Sequence, residues 1–485
     1  MRKNILRLQE KSTTLEPSKQ EWDKLEEKAS QLCNRFFDTS SEKKAYQTFD
    51  KSINALLESP IPDQPQEINA VLDEIENQIV PPGLNPTSGS HFGYIPGGGL
   101  MSAALGDYIA AVTNRYVGVY FSSPGGVLVE TRLVNWMAEL VGYGESSGGY
   151  LSSGGSVANL SAVVTARESA GLTSGSFSEA VVYLSTQTHH CVERALNIAG
   201  MKDAVRRFIP IDEHYRMIPG ELEKAIKKDK ESGLNPWMVV ASAGSTDTGA
   251  VDPLDDISEI AEKHTLWFHV DAAYGGFFLL AESARKQFSG IEKSDSVVLD
   301  PHKGLFLPYG SGALVVKDAE KLAAAHKYSA NYMKDTEIDS GIYSPADLSP
   351  ELSKHFRGLR MWLPLKLHGV NAFRSSLEEK LQLAMYAWER LSEIEEIEMG
   401  PKPQLTVFMF RWKPKNGDAD ELNRQLHQSI VEDGRVFLST TRIRDHFVMR
   451  LAILSVRTHL EQVDRFLSVL KEKMEWVRNE NKMQS

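Results

Sequence analysis

The sequence predicts an α/β fold, a mainly parallel sheet with helices on both faces, followed by a smaller α+β unit. Three observations carry this. Between about 130 and 320, helix-like and strand-like stretches alternate, the pattern of repeated strand–helix–strand crossovers. The strand-like runs are continuously apolar, as in VVYLS (181–185) and SVVL (296–299), which marks strands covered on both faces. Beyond about 362 the pattern changes to one long amphipathic stretch and then to strand, helix, strand, strand.

Residues 1 to about 80 read as helix. Trp22, Leu25, Ala29, Leu32 and Phe36 recur at spacings of 3, 4, 3 and 4, one stripe on one helix face. That stripe must be buried on the chain's own body or on a partner subunit, and periodicity does not choose between them. Pro81, Pro82, Gly83 and Pro86 punctuate the chain there. The stretches HFGYIPGGGLMSAALGDY (91–108) and NRYVGVYFSSPGGVLVE (114–130) set aromatics beside Gly and Pro. This composition suits a small-molecule pocket wall, and equally ordinary loop packing.

Helices are expected near 130–141, 157–170, 191–201, 219–230 and 254–264. Strands are expected at 181–185, 206–211, 237–244, 267–270, 296–299 and 312–317. The C-terminal third predicts helix over 362–394, strand over 404–412, helix over 418–433, then the strands VFLSTTRI and HFVMRLAIL. The expected division is a helical segment at 1–90, a large α/β domain at 91–365 and a small α+β domain at 366–485.

Bulk properties exclude several functions. The 485-residue chain carries a net charge of −11, so it lacks the basic balance that nucleic-acid binding needs. No apolar run approaches the roughly 20 residues of a membrane span. The N-terminal MRKNILRLQEKSTT has no apolar signal region. Two cysteines, Cys33 and Cys191, make a disulfide framework unexpected and cannot supply a four-cysteine zinc site. A cytoplasmic enzyme without a metal centre is the expectation.

Chemistry concentrates in WFHVDAAYGGF (267–277) and SDSVVLDPHKGLFLPYGSGALVVK (294–317). Each apolar run delivers a polar tip: Asp271 in the first, Asp300, His302 and Lys303 in the second. Asp271 and Lys303 lie 32 positions apart. Carboxyl ends of strands in open α/β sheets are where ligands bind. An amine and a carboxylate so placed suit pyridoxal phosphate. The lysine forms a Schiff base with the aldehyde, and the carboxylate keeps the pyridine nitrogen protonated. Ala272, Ala273, Gly275 and Gly276 leave room for a flat ring. A structural salt bridge is the plainer alternative.

GGYLSSGGSVANL (148–160) sets Gly154, Gly155 and Ser156 just before a helix, where backbone N–H groups and the helix N-terminus attract an anion. Gly155 stands where a P-loop needs Lys, so the turn suits a single phosphate better than a nucleotide. His189 and His190 follow the strand VVYLS. Adjacent histidines cannot both face one pocket, so at most one is functional. His302 could reach a phosphate oxygen, and Ser245 and Thr246 offer polar contacts at the same sheet edge.

The set HVDAAYGG, DPHKG, THHCVERA, SSGGSVAN and FRGLRMW resembles the group II pyridoxal-phosphate-dependent decarboxylases, which include aromatic-L-amino-acid and glutamate decarboxylases. The likeness runs from about His91 to Leu460. It implies the type I fold of such enzymes, with a seven-stranded, mainly parallel sheet. It implies Lys303 as the Schiff-base lysine and Asp271 as the partner of the pyridine nitrogen. Val192-Glu193-Arg194 selects His189 as the ring-stacking histidine. Gly155, Ser156, Asp300 and His302 match phosphate-binding positions. Thr246 matches a threonine near the cofactor, and Ala273 lies in the matched HVDAA run. Many members carry Asn where Asp300 stands. The family's mobile loop would span about 328–350 and carry a tyrosine that protonates the product, Tyr343 first and Tyr332 second. The resemblance further implies a homodimer with the N-terminal segment wrapped on its partner.

The expected reaction converts an L-amino acid to its amine and CO2. Tyr94, Pro96, Gly97, Gly98, Val119, Tyr120 and Phe121 would flank the side-chain pocket. No paired arginine stands out to bind a second carboxylate, so an aromatic substrate is favoured. A transaminase or a decarboxylation-dependent oxidase is the near rival, with Arg450 as the transaminase's carboxylate anchor. A non-catalytic sensor of a vitamer or amino acid is the distant one.

Overall fold

The computed structural model describes residues 1–40, 43–327 and 341–484. The chain opens with helices α1 (Arg2–Ser12), α2 (Lys19–Thr39), α3 (Ala55–Glu58) and α4 (Ile68–Glu74). Ser18 and Glu21 start α2 with a capping box, each side chain accepting from the other's backbone N–H. Trp22, Leu32 and Phe36 are only half-buried, and no residue of α2 is fully buried in the single chain. Strands β1 (Tyr46–Gln47) and β2 (Gly83–Leu84) pair antiparallel, and β3 (His91–Phe92) follows.

Helices α5 (Met101–Thr113) and α6 (Pro124–Val141) lead into the alternating region. There β4 (Gly148–Ser152), α7 (Gly155–Ser169), β5 (Ala180–Ser185), α8 (Cys191–Ile198), β6 (Val205–Ile209), α9 (Pro219–Glu231) and β7 (Asn235–Ser242) succeed one another. Then come α10 (Leu254–His264), β8 (Trp267–Asp271), α11 (Glu282–Arg285), β9 (Ser296–Leu299), α12 (Pro301–Gly304), β10 (Gly312–Val316) and α13 (Ala319–His326).

The main sheet has seven strands in the order β4-β10-β9-β8-β7-β5-β6. Only β10 runs against its neighbours. The carboxyl ends of the other six therefore open at one edge. Strands β5, β8 and β9 are buried at every position, as their apolar sequences require. The strand absent from the sequence expectation is β4, whose Gly148-Gly149 start lacks β propensity. A Cβ at Gly149 would collide with the Leu314 carbonyl of the paired strand, so close pairing demands glycine there.

Helix α14 (Gly358–Ser392) is broken at Gly369, where φ is 70°. Strands β11 (Ile397–Met399), β12 (Val407–Trp412), β13 (Phe437–Ile443) and β14 (His446–Ala452) enclose α15 (Ala419–Asp433), and α16 (Leu460–Gln484) ends the chain. These four strands and β3 make a five-stranded sheet ordered β11-β12-β14-β13-β3, with β3 parallel to β13. The small sheet thus borrows a strand from the segment ahead of the large sheet. Periodicity predicted neither α5 nor α16. No helix among the described residues is long and apolar enough to cross a membrane.

Candidate active site

A cavity of about 290 Å³ opens at the carboxyl edge of the main sheet. Asp271 ends β8, Asp300 follows β9, and Lys303 lies in the short helix α12 after it. The turn before α7 reaches the same place because β4 runs with the parallel strands. Gly154, Gly155 and Ser156 line the cavity with Asp271, Asp300, His302 and Lys303. His189, from the turn after β5, and Thr246, from the turn after β7, line it too, as does Ala273.

The charges are tightly arranged. Lys303 Nζ stands 3.0 Å from Asp300 Oδ2. Burial opposes the Lys303 charge, yet Asp300 and Asp271 together hold the ammonium above its ordinary value. Asp300 is 2% exposed and its Oδ1 has no partner among the described residues. His302 Nε2 lies 3.8 Å from Asp300 Oδ2, and Nδ1 contacts the Ser311 carbonyl. Burial holds the His302 imidazole below its ordinary value, against the pull of Asp300. Burial does the same to His189, against Asp271. Asp271 is 7% exposed, and its Oδ1 accepts from Ala273 N–H at 3.1 Å.

These residues fit pyridoxal phosphate. The cavity offers one amine for an aldehyde and one carboxylate for a ring nitrogen. It also offers a 15-residue helix that opens through glycines on the His302 side. Gly155 fits closely: a Cβ there would lie 3.0 Å from Asp300 Oδ2 and 3.3 Å from the Ala273 methyl, so a larger residue would press on both.

Of the paired histidines, His189 faces the cavity and exposed His190 does not. Ser245 lines the wall, its hydroxyl 2.6 Å from that of Thr248. Tyr343 is 38% exposed and does not line the cavity. Its neighbour Ser344 accepts from Tyr120 N–H at 3.0 Å, tying this segment to the 118–120 turn. Tyr332 lies outside the described residues. Tyr94, Pro96, Gly97, Gly98, Val119, Tyr120 and Phe121 do not line the cavity in the single chain. The loop containing Gly97 nonetheless rests on α12, where a Cβ would collide with the His302 carbonyl.

Arg450 is 3% exposed, and its guanidinium is consumed by the Thr246 and Asp247 carbonyls and the Ser439 hydroxyl. Sequence reasoning missed Asn159, Gln187, Cys191 and Tyr274, which also line the cavity. Asn159 carried a signal: an amide among Val, Ala and Leu in the first turns of a buried helix needs a partner.

Comparison with known proteins identifies the family and the fold. Residues 17–413 match the model of the pyridoxal-dependent decarboxylase conserved domain. An aromatic-L-amino-acid decarboxylase of Bacillus atrophaeus is 33% identical over 387 residues, 79% of this chain and 80% of that protein. A phenylacetaldehyde synthase of Arabidopsis thaliana is 27% identical, over 88% and 90% of the two chains. The crystal structure of Oryza sativa TDC with PLP and tryptamine superposes with a TM-score of 0.89 at 24% identity, over 95% and 99% of the chains. The fold is thus the type I fold of pyridoxal-phosphate enzymes, and the chain belongs to the pyridoxal-dependent decarboxylase family.

Proposed function

We propose that this enzyme removes the α-carboxylate of an aromatic L-amino acid as CO2 and releases the amine. The observation that carries this reading is the convergence of Lys303 and Asp271, from adjoining strand tips, on one cavity. When bound, pyridoxal phosphate supplies an aldehyde for the substrate's amine and a ring that accepts the electron pair left by departing CO2. Lys303 would hold the cofactor covalently, and Asp271 would face its ring nitrogen. Gly155, Ser156 and His302 would hold the phosphate at the α7 N-terminus. His189 would lie on one ring face, with Thr246, Ala273 and Asp300 closing the remaining wall. Lys303, once released by substrate, is an amine able to carry a proton to the product. Tyr343, exposed and outside the cavity lining of the single chain, is the second candidate for that donor.

Decarboxylation needs the leaving carboxylate free of a strong anchor, and Arg450 is spent on backbone carbonyls. This favours decarboxylation over transamination. Among the residues lining the cavity there is no arginine to hold a second carboxylate, which favours an aromatic side chain over glutamate. The Bacillus relative's name points the same way. The Arabidopsis relative's name keeps aldehyde formation as the second reading. The test is a panel of L-amino acids given to the reconstituted enzyme, with amine, CO2, aldehyde and keto acid measured together. Amine with stoichiometric CO2 from aromatic substrates is expected. Aldehyde in place of amine would establish the second reading, and keto acid without CO2 would overturn both.

We further propose a homodimer. Helix α5 leaves Leu105, Ile109 and Val112 between 45% and 57% exposed, and α1 leaves Ile5, Leu6 and Leu8 between 55% and 58% exposed, an apolar surface that a second copy would cover. A monomer mass in analytical ultracentrifugation at micromolar concentration would remove this. We place the enzyme in the cytoplasm, on two cysteines that are both free. We divide it at residues 90 and 365, with β3 and the first turns of α14 bridging the units.

A further inference from the structure

Behind Asp271 a row of buried polar side chains crosses β8 and β9 to α7. Trp267 Nε1–H donates to Ser296 Oγ at 2.9 Å. Ser296 Oγ meets His269 Nδ1 at 2.8 Å. His269 Nε2 meets Asn159 Oδ1 at 2.9 Å. Asn159 Nδ2 stands 3.2 Å from Asp271 Oδ2 and 2.9 Å from the Gly155 carbonyl. His269 and Ser296 are 0% exposed and Asn159 is 1% exposed.

Proton directions follow from what each group can do. An indole nitrogen only donates, so Ser296 Oγ accepts from Trp267 and keeps its own proton for another partner. At the far end the Gly155 carbonyl and Asp271 carboxylate are both acceptors. The Asn159 NH2 must therefore lie on that side, and its carbonyl oxygen faces His269. His269 Nε2 must then carry the ring proton, which leaves Nδ1 to accept from the Ser296 hydroxyl. A single ring proton suffices, since burial pushes His269 down to about 4 against the pull of Asp271. Every donor thus points the same way, from Trp267 to Asp271.

We propose that His269 and Asn159 are positioning residues for Asp271, the last links of a one-way row of donors that fixes its carboxylate in rotation and aims its free lone pairs at the cavity. The inference rests on the role given to Asp271 above. Asn159 grips one carboxylate oxygen and Ala273 N–H the other, so the group cannot turn. An ionised carboxylate has about four lone-pair sites, so acceptor capacity remains toward the cavity. Aligned hydrogen bonds polarise one another in a buried setting. Each donor therefore strengthens the next, so the grip on Asp271 Oδ2 depends on the whole row, and a carboxylate turned out of line would face the ring nitrogen poorly.

The test uses holoenzyme reconstituted with pyridoxal phosphate labelled with 15N in the ring. His269→Asn removes the donor at the ε position, whereas His269→Gln places an amide N–H near it. Asn159→Ala breaks the next link and serves if His269→Asn fails to fold. His269→Asn and Asn159→Ala are expected to move the ring-nitrogen resonance toward the unprotonated form. They are also expected to lower kcat about 10- to 100-fold, the range for outer residues that orient an active-site ligand, with KM little changed. His269→Gln is expected to recover most of both signals. Loss of stability or cofactor affinity with the resonance in its wild-type place would mean a merely structural row, and overturns the proposal. Asp271→Asn is the control. If it alone moves the resonance, the row is overturned and the Asp271 assignment stands; if it leaves the resonance in place, that assignment fails and the row with it.

Discussion

Lys303→Ala is expected to abolish turnover, by at least about 10⁴-fold, and to remove the visible absorbance of lysine-bound cofactor. The reason is chemical. Removing a covalent participant disables a whole catalytic unit, and the residual rate comes from binding alone. A second effect runs alongside. Asp300 is 2% exposed and 3.0 Å from the lost ammonium. Orphaning a buried charge costs about 3–5 kcal/mol unless it takes up a proton. Lys303→Arg separates the two effects. Its guanidinium keeps the positive charge near Asp300 but cannot bond the aldehyde. Absorption spectra, CO2 release and urea unfolding of both variants check this. The expected pattern is no turnover in either, with stability lost mainly in the alanine variant. Wild-type absorbance and activity in Lys303→Ala would sink the assignment.

Asp271→Asn is expected to lower kcat by about 10²- to 10³-fold, or ~3–4 kcal/mol, the scale of losing one preorganised electrostatic contact in a water-excluded site. The change is isosteric, so packing against Ala273 and Asn159 stays nearly intact. The carboxamide removes the negative charge that favours a proton on the facing ring nitrogen. It also sets a second NH2 group near Asn159 Nδ2, which now donates to Asp271 Oδ2 at 3.2 Å. Substrate binding is expected to change little, so the loss falls on kcat and not on KM. Steady-state kinetics of CO2 release decide it. A KM effect at unchanged kcat would mean that Asp271 serves substrate binding and not the chemical step.

Much of this was legible in the sequence. Runs such as SVVL before Asp300 read as buried strands, because Val297, Val298 and Leu299 put apolar side chains on both faces. Strand ends then place Asp271 and Lys303 at one edge, since the crossovers between parallel strands are right-handed and return each strand in the same direction. The glycine turn at 154–155 was legible as the start of a helix, since α7 begins at Gly155. The strand β4 was not, since its glycines answer to the Leu314 carbonyl across the ladder and not to any local preference.

By itself the sequence determined the α/β class, the polar tips of the strands and the residue types able to hold a phosphate, an aldehyde and a ring nitrogen. Those are local properties, written in periodicity and in side-chain chemistry. Residue chemistry alone left two adjacent histidines equivalent; the family resemblance pointed to His189, and the way the turn after β5 enters α8 turns that ring to the cavity. Only packing across domains spent Arg450 on the carbonyls of Thr246 and Asp247, 204 and 203 residues away in the chain. The donor row from Trp267 to Asp271 likewise exists only once β8, β9 and α7 are packed together. A hydrogen bond between distant residues leaves no period in the sequence, and buried polar groups find their partners only when the strands and helices that carry them meet.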